Sequence, residues 1–435
     1  MIEERIDLTQ DDLPRKWYNI LSDLPDDLPA YIIKKTGKEA KSLPEAFSKT
    51  ASKLEFSKKR WIDIPDEVAS AYIRIGRPTP LMRASRLEKF LKTPARIYYK
   101  CEDLRPIGTF KANAAFPQAY WTMKDGHSRV VYPFSPKRTK FLMALAANHY
   151  GLTPTIFISR ADAQEYREQY LYLRDMLRVD LEMSPSSRTE VGRGILKASP
   201  DHRGSSGIVS KEVFEEATMN DDAVIINPSF FNHVLMTQTV SGLEVEKQLE
   251  AIDVKPSVFI ALVGGGSNFY GLIAPFVRDR LNGKLHDVKF LAVESETSAK
   301  LTNGEYKYVS SQWMPGLLGK MYECGWETRP PRIKASIQGK NTAPLLSFLR
   351  HLGLVDTVVY SKDEADIIDA AQVFLRTEGF LIAPEAAYSV RAAIDEAHKA
   401  KKTGDKSVIV MSISGMTYFD FREKTRYLKC IQETT

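Results

Sequence analysis

The amine of Lys111 is the first group in this chain suited to covalent chemistry. It lies in the stretch Pro106-Ile107-Gly108-Thr109-Phe110-Lys111-Ala112-Asn113. The apolar run Ile97-Tyr98-Tyr99 precedes the stretch, and Ala114-Ala115-Phe116, which reads as helix, follows it. Thr109 is a helix-capping type, so Lys111 is expected one turn into a helix whose N-terminus faces the same site. That pairing suits an anionic, aldehyde-bearing cofactor: the amine forms an imine, and the helix end favours negative charge. Pyridoxal phosphate has this chemistry. An ordinary surface lysine on a capped helix fits the same residues.

Val263-Gly264-Gly265-Gly266-Ser267-Asn268 closes a second apolar run and opens Phe269-Tyr270-Gly271. Three glycines leave backbone amides uncovered, so they can close on a phosphate, and Ser267 adds a hydroxyl. The spacing is neither the dinucleotide fingerprint nor a Walker loop, since no Gly-Lys-Ser/Thr follows. A plain strand–helix turn is the alternative. The run 407–411 ends in Ser412-Ile413-Ser414-Gly415, at the strand end where ligand sites of α/β folds gather. A serine beside a pyridine nitrogen leaves it less protonated than an aspartate would. That weaker electron sink favours β-elimination and replacement over transamination. Glu385 ends an apolar run just before a helix, which suits either a site role or a helix-dipole contact.

These residues need a scaffold, and the pattern of the chain supplies one. Apolar runs at 96–100, 130–132, 155–158, 257–263, 289–293 and 407–411 alternate with helical patterns. Several are apolar on both faces, as parallel strands covered on both sides are. The fold class expected is therefore α/β with mostly parallel sheets in two domains. Helices are expected over 165–177, 363–377 and 386–399, and the segment 184–206 reads as loop. Residues 1–76 read as an ordered extension packed on the body, because aromatics such as Trp17 and Tyr18 have no use in a free tail.

Composition narrows the function classes. The net charge of +6 arises from 61 basic and 55 acidic residues in 435. They are spread along the chain, which gives no nucleic-acid footprint. No apolar run is long enough to span a bilayer, and the acidic start Met1-Ile2-Glu3-Glu4 has no secretory h-region. Cys101, Cys324 and Cys430 are far apart, and the seven histidines lack ligand spacing. Neither a disulfide framework nor a metal site is indicated, and a cytoplasmic protein is expected. His233, in an apolar stretch, reads as a buried imidazole.

Taken together, the motifs resemble the tryptophan synthase β chain in its second, longer family. The similarity runs through Lys16-Trp17-Tyr18-Asn19-Ile20, Gly76-Arg77-Pro78-Thr79-Pro80-Leu81, Pro200-Asp201-His202-Arg203-Gly204 and Leu301-Thr302-Asn303-Gly304-Glu305. It continues through Arg376-Thr377-Glu378-Gly379 and Ala383-Pro384-Glu385, so it covers most of the chain. The resemblance implies a fold-type II pyridoxal-phosphate enzyme acting as a homodimer, with an α chain as a possible partner. It implies an N-terminal domain over 110–235 that includes a mobile subdomain, a C-terminal domain over 77–109 and 236–435, and the cofactor in the cleft between them. Lys111 becomes the Schiff-base lysine. Asn113, Gly264, Gly265, Gly266, Ser267 and Asn268 become ligands of the cofactor phosphate and ring. Ser414 becomes the partner of the pyridine nitrogen, with Glu385 beside the ring. The reaction implied is β-replacement: L-serine loses its Cα proton to Lys111 and its β-leaving group, and C3 of indole adds.

The chain departs from the family at one loop. Where the family has Thr-Glu-Thr-Gly-Ala-Gly-Gln, this chain has Tyr132-Pro133-Phe134-Ser135-Pro136-Lys137-Arg138-Thr139. Pro133 occupies the glutamate position, and Phe110 stands where a histidine is common. Lys137, Arg138 and Thr139 become candidate substrate contacts, able to hold a carboxylate or the phosphate of O-phosphoserine. Plain surface charge is the alternative for Lys137 and Arg138. A second reading of the whole chain is a paralogue that binds the cofactor but acts on another amino acid, or assists an α chain.

Overall fold

The computed structural model describes residues 4–104, 106–135, 138–227, 229–311, 314–325, 339–361 and 363–416. Two sheets, one mostly and one wholly parallel, form its frame. The larger has seven strands in the order Arg5–Ile6, Leu81–Arg83, Arg96–Cys101, Val408–Ile413, Val258–Leu262, Lys289–Ser295 and Asp356–Tyr360. Its first two pairings are antiparallel and the other four parallel. The smaller sheet, wholly parallel, has the order Ala223–Ile225, Arg129–Pro133, Thr153–Ser159 and Asp180–Ser184.

The central strands are buried on both faces, which is why they read as unbroken apolar runs. Successive side chains leave a strand on opposite sides. Ile97, Tyr99, Ile260, Leu262, Ile409 and Met411 pack against the helices Ala365–Glu378 and Ala387–Thr403. Tyr98, Phe259, Ala261, Val408 and Val410 pack on the other face against Asn232–Ala251 and Ser267–Leu281.

The extension is part of the body. Its strand Arg5–Ile6 forms one edge of the large sheet. Trp17 and Tyr18 are fully buried, and the backbone N–H of Tyr18 donates to Thr239 Oγ1 at 3.0 Å. The helix Asn232–Ala251 is continuous through residues 235 and 236, so an expected domain boundary falls inside it. No helix among the described residues is long and apolar enough to cross a membrane.

Two expected elements differ. The helix expected over 165–177 is two, Arg160–Glu165 and Arg167–Asp175, because Tyr166 at φ −112° and ψ 42° breaks the ladder. The segment 184–206 is not all loop but holds the helix Glu190–Ala198, capped by the Thr189 hydroxyl. Its Gly192 serves close packing. A Cβ there would lie 2.0 Å from the Ser186 carbonyl oxygen and 2.2 Å from Glu212 Oε1.

Candidate active site

Lys111 is held by a loop zipped to the end of a central strand. After the strand Arg96–Cys101, Glu102 N–H donates to the Ile413 carbonyl at 3.1 Å. Further on, Thr109 bridges Gly415, and Phe110 N–H donates to the Ser414 carbonyl at 3.4 Å. Lys111 does not lie one turn into the helix. It is the residue just before Ala112–Lys124, and the Thr109 hydroxyl accepts from its backbone N–H at 3.4 Å. Its Nζ donates to Thr139 Oγ1 at 3.0 Å, so the amine points across to the helix Thr139–His149 of the other sheet.

The glycine loop lies between the strand Val258–Leu262 and the helix Ser267–Leu281. Gly266, at φ +98°, has a backbone shape that side chains resist, and a Cβ on it would meet Leu346 Cδ2 at 2.5 Å. A Cβ on Gly265 would lie 2.7 Å from Ser229 Oγ. Backbone N–H groups at the start of a helix lack intrahelical acceptors, so the loop offers donors to an anion. Ser267 is buried at that helix start. Asn268 Oδ1 accepts from Ser412 Oγ at 3.1 Å, while its buried Nδ2 has no partner. Ser414, half-buried, follows the same strand as Ser412.

Arg138 closes the remaining side. Its Nη2 donates to Glu385 Oε1 at 3.1 Å, and its Nη1 donates to the Gly108 carbonyl at 2.7 Å and to the Met416 carbonyl. The pair is largely buried, with side-chain exposures of 8% and 19%. Arg138 is therefore no surface charge. It ties the small sheet's helix to the loops that carry Lys111, Ser414 and Glu385. Lys137 lies outside the described residues.

Direct contacts thus bring together Lys111, Thr139, Arg138, Glu385 and Ser414, and the Ser412–Asn268 bond joins the glycine loop to them. Asn113 stands apart. Its amide is wholly engaged in a buried cluster with Arg77, Glu102 and Gln238.

Sequence reasoning missed two residues. Ser229 faces Gly265 from the loop after Ala223–Ile225, and the only signal was its place beyond a strand's carboxyl end. Asp103 follows the strand Arg96–Cys101. Burial pushes its carboxyl up to about 6, with the Glu102 charge adding to the rise and Arg138 opposing it. Its Oδ1 is buried without a partner.

The native state therefore binds the Asp103 proton more tightly than the unfolded chain does. Between about pH 4 and pH 6 stability falls as pH rises, by at most about 3 kcal/mol. Asp103→Asn should flatten that part of a stability–pH curve measured by urea unfolding. An unchanged slope would show that Asp103 does not titrate there.

Comparison with known proteins agrees with this geometry. Residues 73–415 match the family model described as pyridoxal-phosphate dependent enzyme. The tryptophan synthase beta chain 2 of Methanothermobacter thermautotrophicus is 39% identical over 430 residues, covering 98% of this chain and 99% of that one. The tryptophan synthase beta chain of Pyrococcus horikoshii is 39% identical, covering 97% and 92%. The beta chain 2 of Aquifex aeolicus is 40% identical, covering 97% and 98%. Among solved structures, the processed form of threonine deaminase isoform 2 from Solanum lycopersicum superposes with a TM-score of 0.59 at 17% identity, covering 84% of this chain and 91% of that one. A fungal L-serine ammonia-lyase from Rhizomucor miehei gives 0.58 at 17%, covering 81% and 97%. These two share the fold. On sequence, this chain belongs to the pyridoxal-phosphate-dependent lyases of the tryptophan synthase β-chain family.

Proposed function

We propose that the chain makes L-tryptophan by β-replacement, joining indole to the β-carbon of L-serine or its O-phospho ester. The observation that carries this is the Lys111 amine, which donates to Thr139 at 3.0 Å from a loop bonded to Ser414, at the strand end that Ser412 ties to the glycine loop. The residues present fit pyridoxal phosphate. The bare glycine backbone, the Ser267 and Ser229 hydroxyls and the unpartnered Asn268 amide suit its phosphate and ring, and Lys111 suits its aldehyde. When bound, the cofactor supplies an electron sink for the charge that forms at Cα.

The protein's own groups do the rest. Lys111 Nζ takes the Cα proton, and the Thr139 hydroxyl orients that amine. Ser414 would serve the pyridine nitrogen as a neutral partner. The unit 110–235 carries Arg138 and Thr139 at the start of the helix Thr139–His149, and it closes over the site as the mobile subdomain. The homodimer and the α chain of the relatives' class are part of the same reading, and light scattering with and without an α chain tests them. A cytoplasmic location fits the unpaired Cys101 and Cys324.

The donor follows from the divergent loop. Pro133 has no proton for a departing hydroxide, whereas phosphate leaves as an anion and needs none. Arg138, 3.1 Å from Glu385, can exchange that carboxylate for the donor's anion. Tryptophan formation from indole with each donor in parallel is the test, and activity with neither would overturn the reading. Arg138→Gln should lower turnover with both donors, since it also unties the loops of the site, and should cut turnover of O-phosphoserine by a further factor of roughly 10 to 100, the worth of one charged hydrogen bond. Equal losses with both donors would exclude Arg138 as the anion's contact.

A further inference from the structure

Beneath the lysine helix lie four fully buried charged side chains: Arg77, Lys100, Glu102 and Glu244. Arg77 Nη2 contacts Glu102 at 2.8 Å, and its Nη1 contacts Glu244 at 2.6 Å. Lys100 Nζ contacts Glu244 at 2.8 Å and donates to the Thr79 carbonyl at 2.6 Å and to Gln248 Oε1 at 2.8 Å. Two cations face two carboxylates, so the formal charges balance. Such a cluster is weak evidence for stability, because apolar side chains of like volume often do as well. What it provides is a fixed set of strong, directional partners.

We infer that Asn113 is a positioning residue: it couples this buried charge cluster to the first turn of the lysine helix and so fixes where the Lys111 amine points. The inference rests on Lys111 being the cofactor lysine. The Asn113 amide is used on all sides. Oδ1 accepts from Arg77 Nε at 2.9 Å, and Nδ2 donates to Glu102 Oε2 and to Gln238 Oε1, each at 3.0 Å. The Asn113 carbonyl accepts from the Tyr72 hydroxyl at 2.6 Å, and Trp17 Nε1 donates to the same hydroxyl at 3.3 Å. The Asn113 N–H donates to the Phe110 carbonyl at 3.0 Å, which spans Lys111.

Side chain, carbonyl and N–H are thus tied in different directions. The turn cannot rotate without parting a polar group from a buried charge. Lys111 lies two residues earlier on that turn, so its stem inherits the constraint. A neutral amide suits the position: an aspartate would add a third carboxylate to a balanced cluster, and leucine would keep the size but lose every bond of the side-chain amide.

The test compares wild type with Asn113→Leu. The apoproteins are mixed with pyridoxal phosphate, and the rate of appearance of the visible band is followed, then the pH midpoint of that band. Urea unfolding of the apoproteins runs in parallel. We expect capture to slow by roughly 10- to 100-fold, the usual cost of a misplaced reacting group, and the pH midpoint to move. kcat for tryptophan formation should fall while KM for indole holds. Wild-type capture rate and pH midpoint in a folded Asn113→Leu, or a change in unfolding alone, would overturn the inference. If that variant fails to fold, Gln238→Met removes one of the amide's acceptors. It should give a smaller slowing in the same direction, and no slowing would overturn the inference equally. A wild-type protein that forms no band would instead overturn the role given to Lys111.

Discussion

Replacing Lys111 with alanine should abolish the visible band of lysine-bound pyridoxal phosphate and lower tryptophan formation by roughly 1,000- to 10,000-fold. Both effects have one cause. In the proposed function the Lys111 amine is both the group that holds the cofactor aldehyde and the base that takes the substrate's Cα proton. The protein should remain folded, because a hydrogen bond such as the one from this amine to Thr139 contributes only about 1 kcal/mol. Absorbance spectroscopy after dialysis against the cofactor, with a tryptophan assay on the same sample, checks the result. A surviving band would mean that another amine captures the aldehyde.

Glu244→Ala should be the most damaging substitution for stability. Glu244 faces Arg77 at 2.6 Å and Lys100 at 2.8 Å, and it accepts from the Thr79 N–H at 3.1 Å. All these side chains are buried. Without it, two buried cations share Glu102 alone. Breaking such a pair costs about 3–5 kcal/mol, a large part of the 5–15 kcal/mol that holds a typical domain together. Burial already pulls the Lys100 ammonium below its usual range, against the attraction of Glu244. Losing Glu244 lowers it further, and the variant should lose stability least at alkaline pH, where Lys100 gives up its proton. Urea unfolding of the apoprotein at neutral and alkaline pH tests both points. A loss below about 1 kcal/mol would show that the cluster relaxes around the gap. By contrast, the exposed Lys58–Asp27 pair has short geometry, but solvent screens it, and its removal should go unnoticed.

The parts of the site that show in the sequence are those whose chemistry is local. The glycines at 264–266 and Ser414 each stand at the carboxyl end of an apolar run, Lys111 lies on the loop that follows another, and the run itself is the signal. The central strands show for the same reason, since burial on both faces leaves no alternation. Asn113 was misleading because a cofactor ligand and a buried structural amide look alike in one dimension. Its partners Arg77, Glu102 and Gln238 lie 36, 11 and 125 positions away. Asp103 and Ser229 take their character from neighbours that only folding supplies. The helix Glu190–Ala198 is likewise hidden in a segment that reads as loop, and its Gly192 leaves room for the close approach of Ser186.

The position of the strand Val408–Ile413 has a consequence for how the molecule is made. It is the last described strand in the chain, yet it lies at the middle of the seven-stranded sheet, between Arg96–Cys101 and Val258–Leu262. During synthesis the two flanking strands emerge long before it and must wait with open edges. The large sheet cannot close until the ribosome has delivered the chain through Ile413. Pairings of such long sequence separation form slowly, and waiting edges invite aggregation. The nascent chain therefore spends its riskiest interval with Lys111 already made and the wall that carries Ser414 still to come.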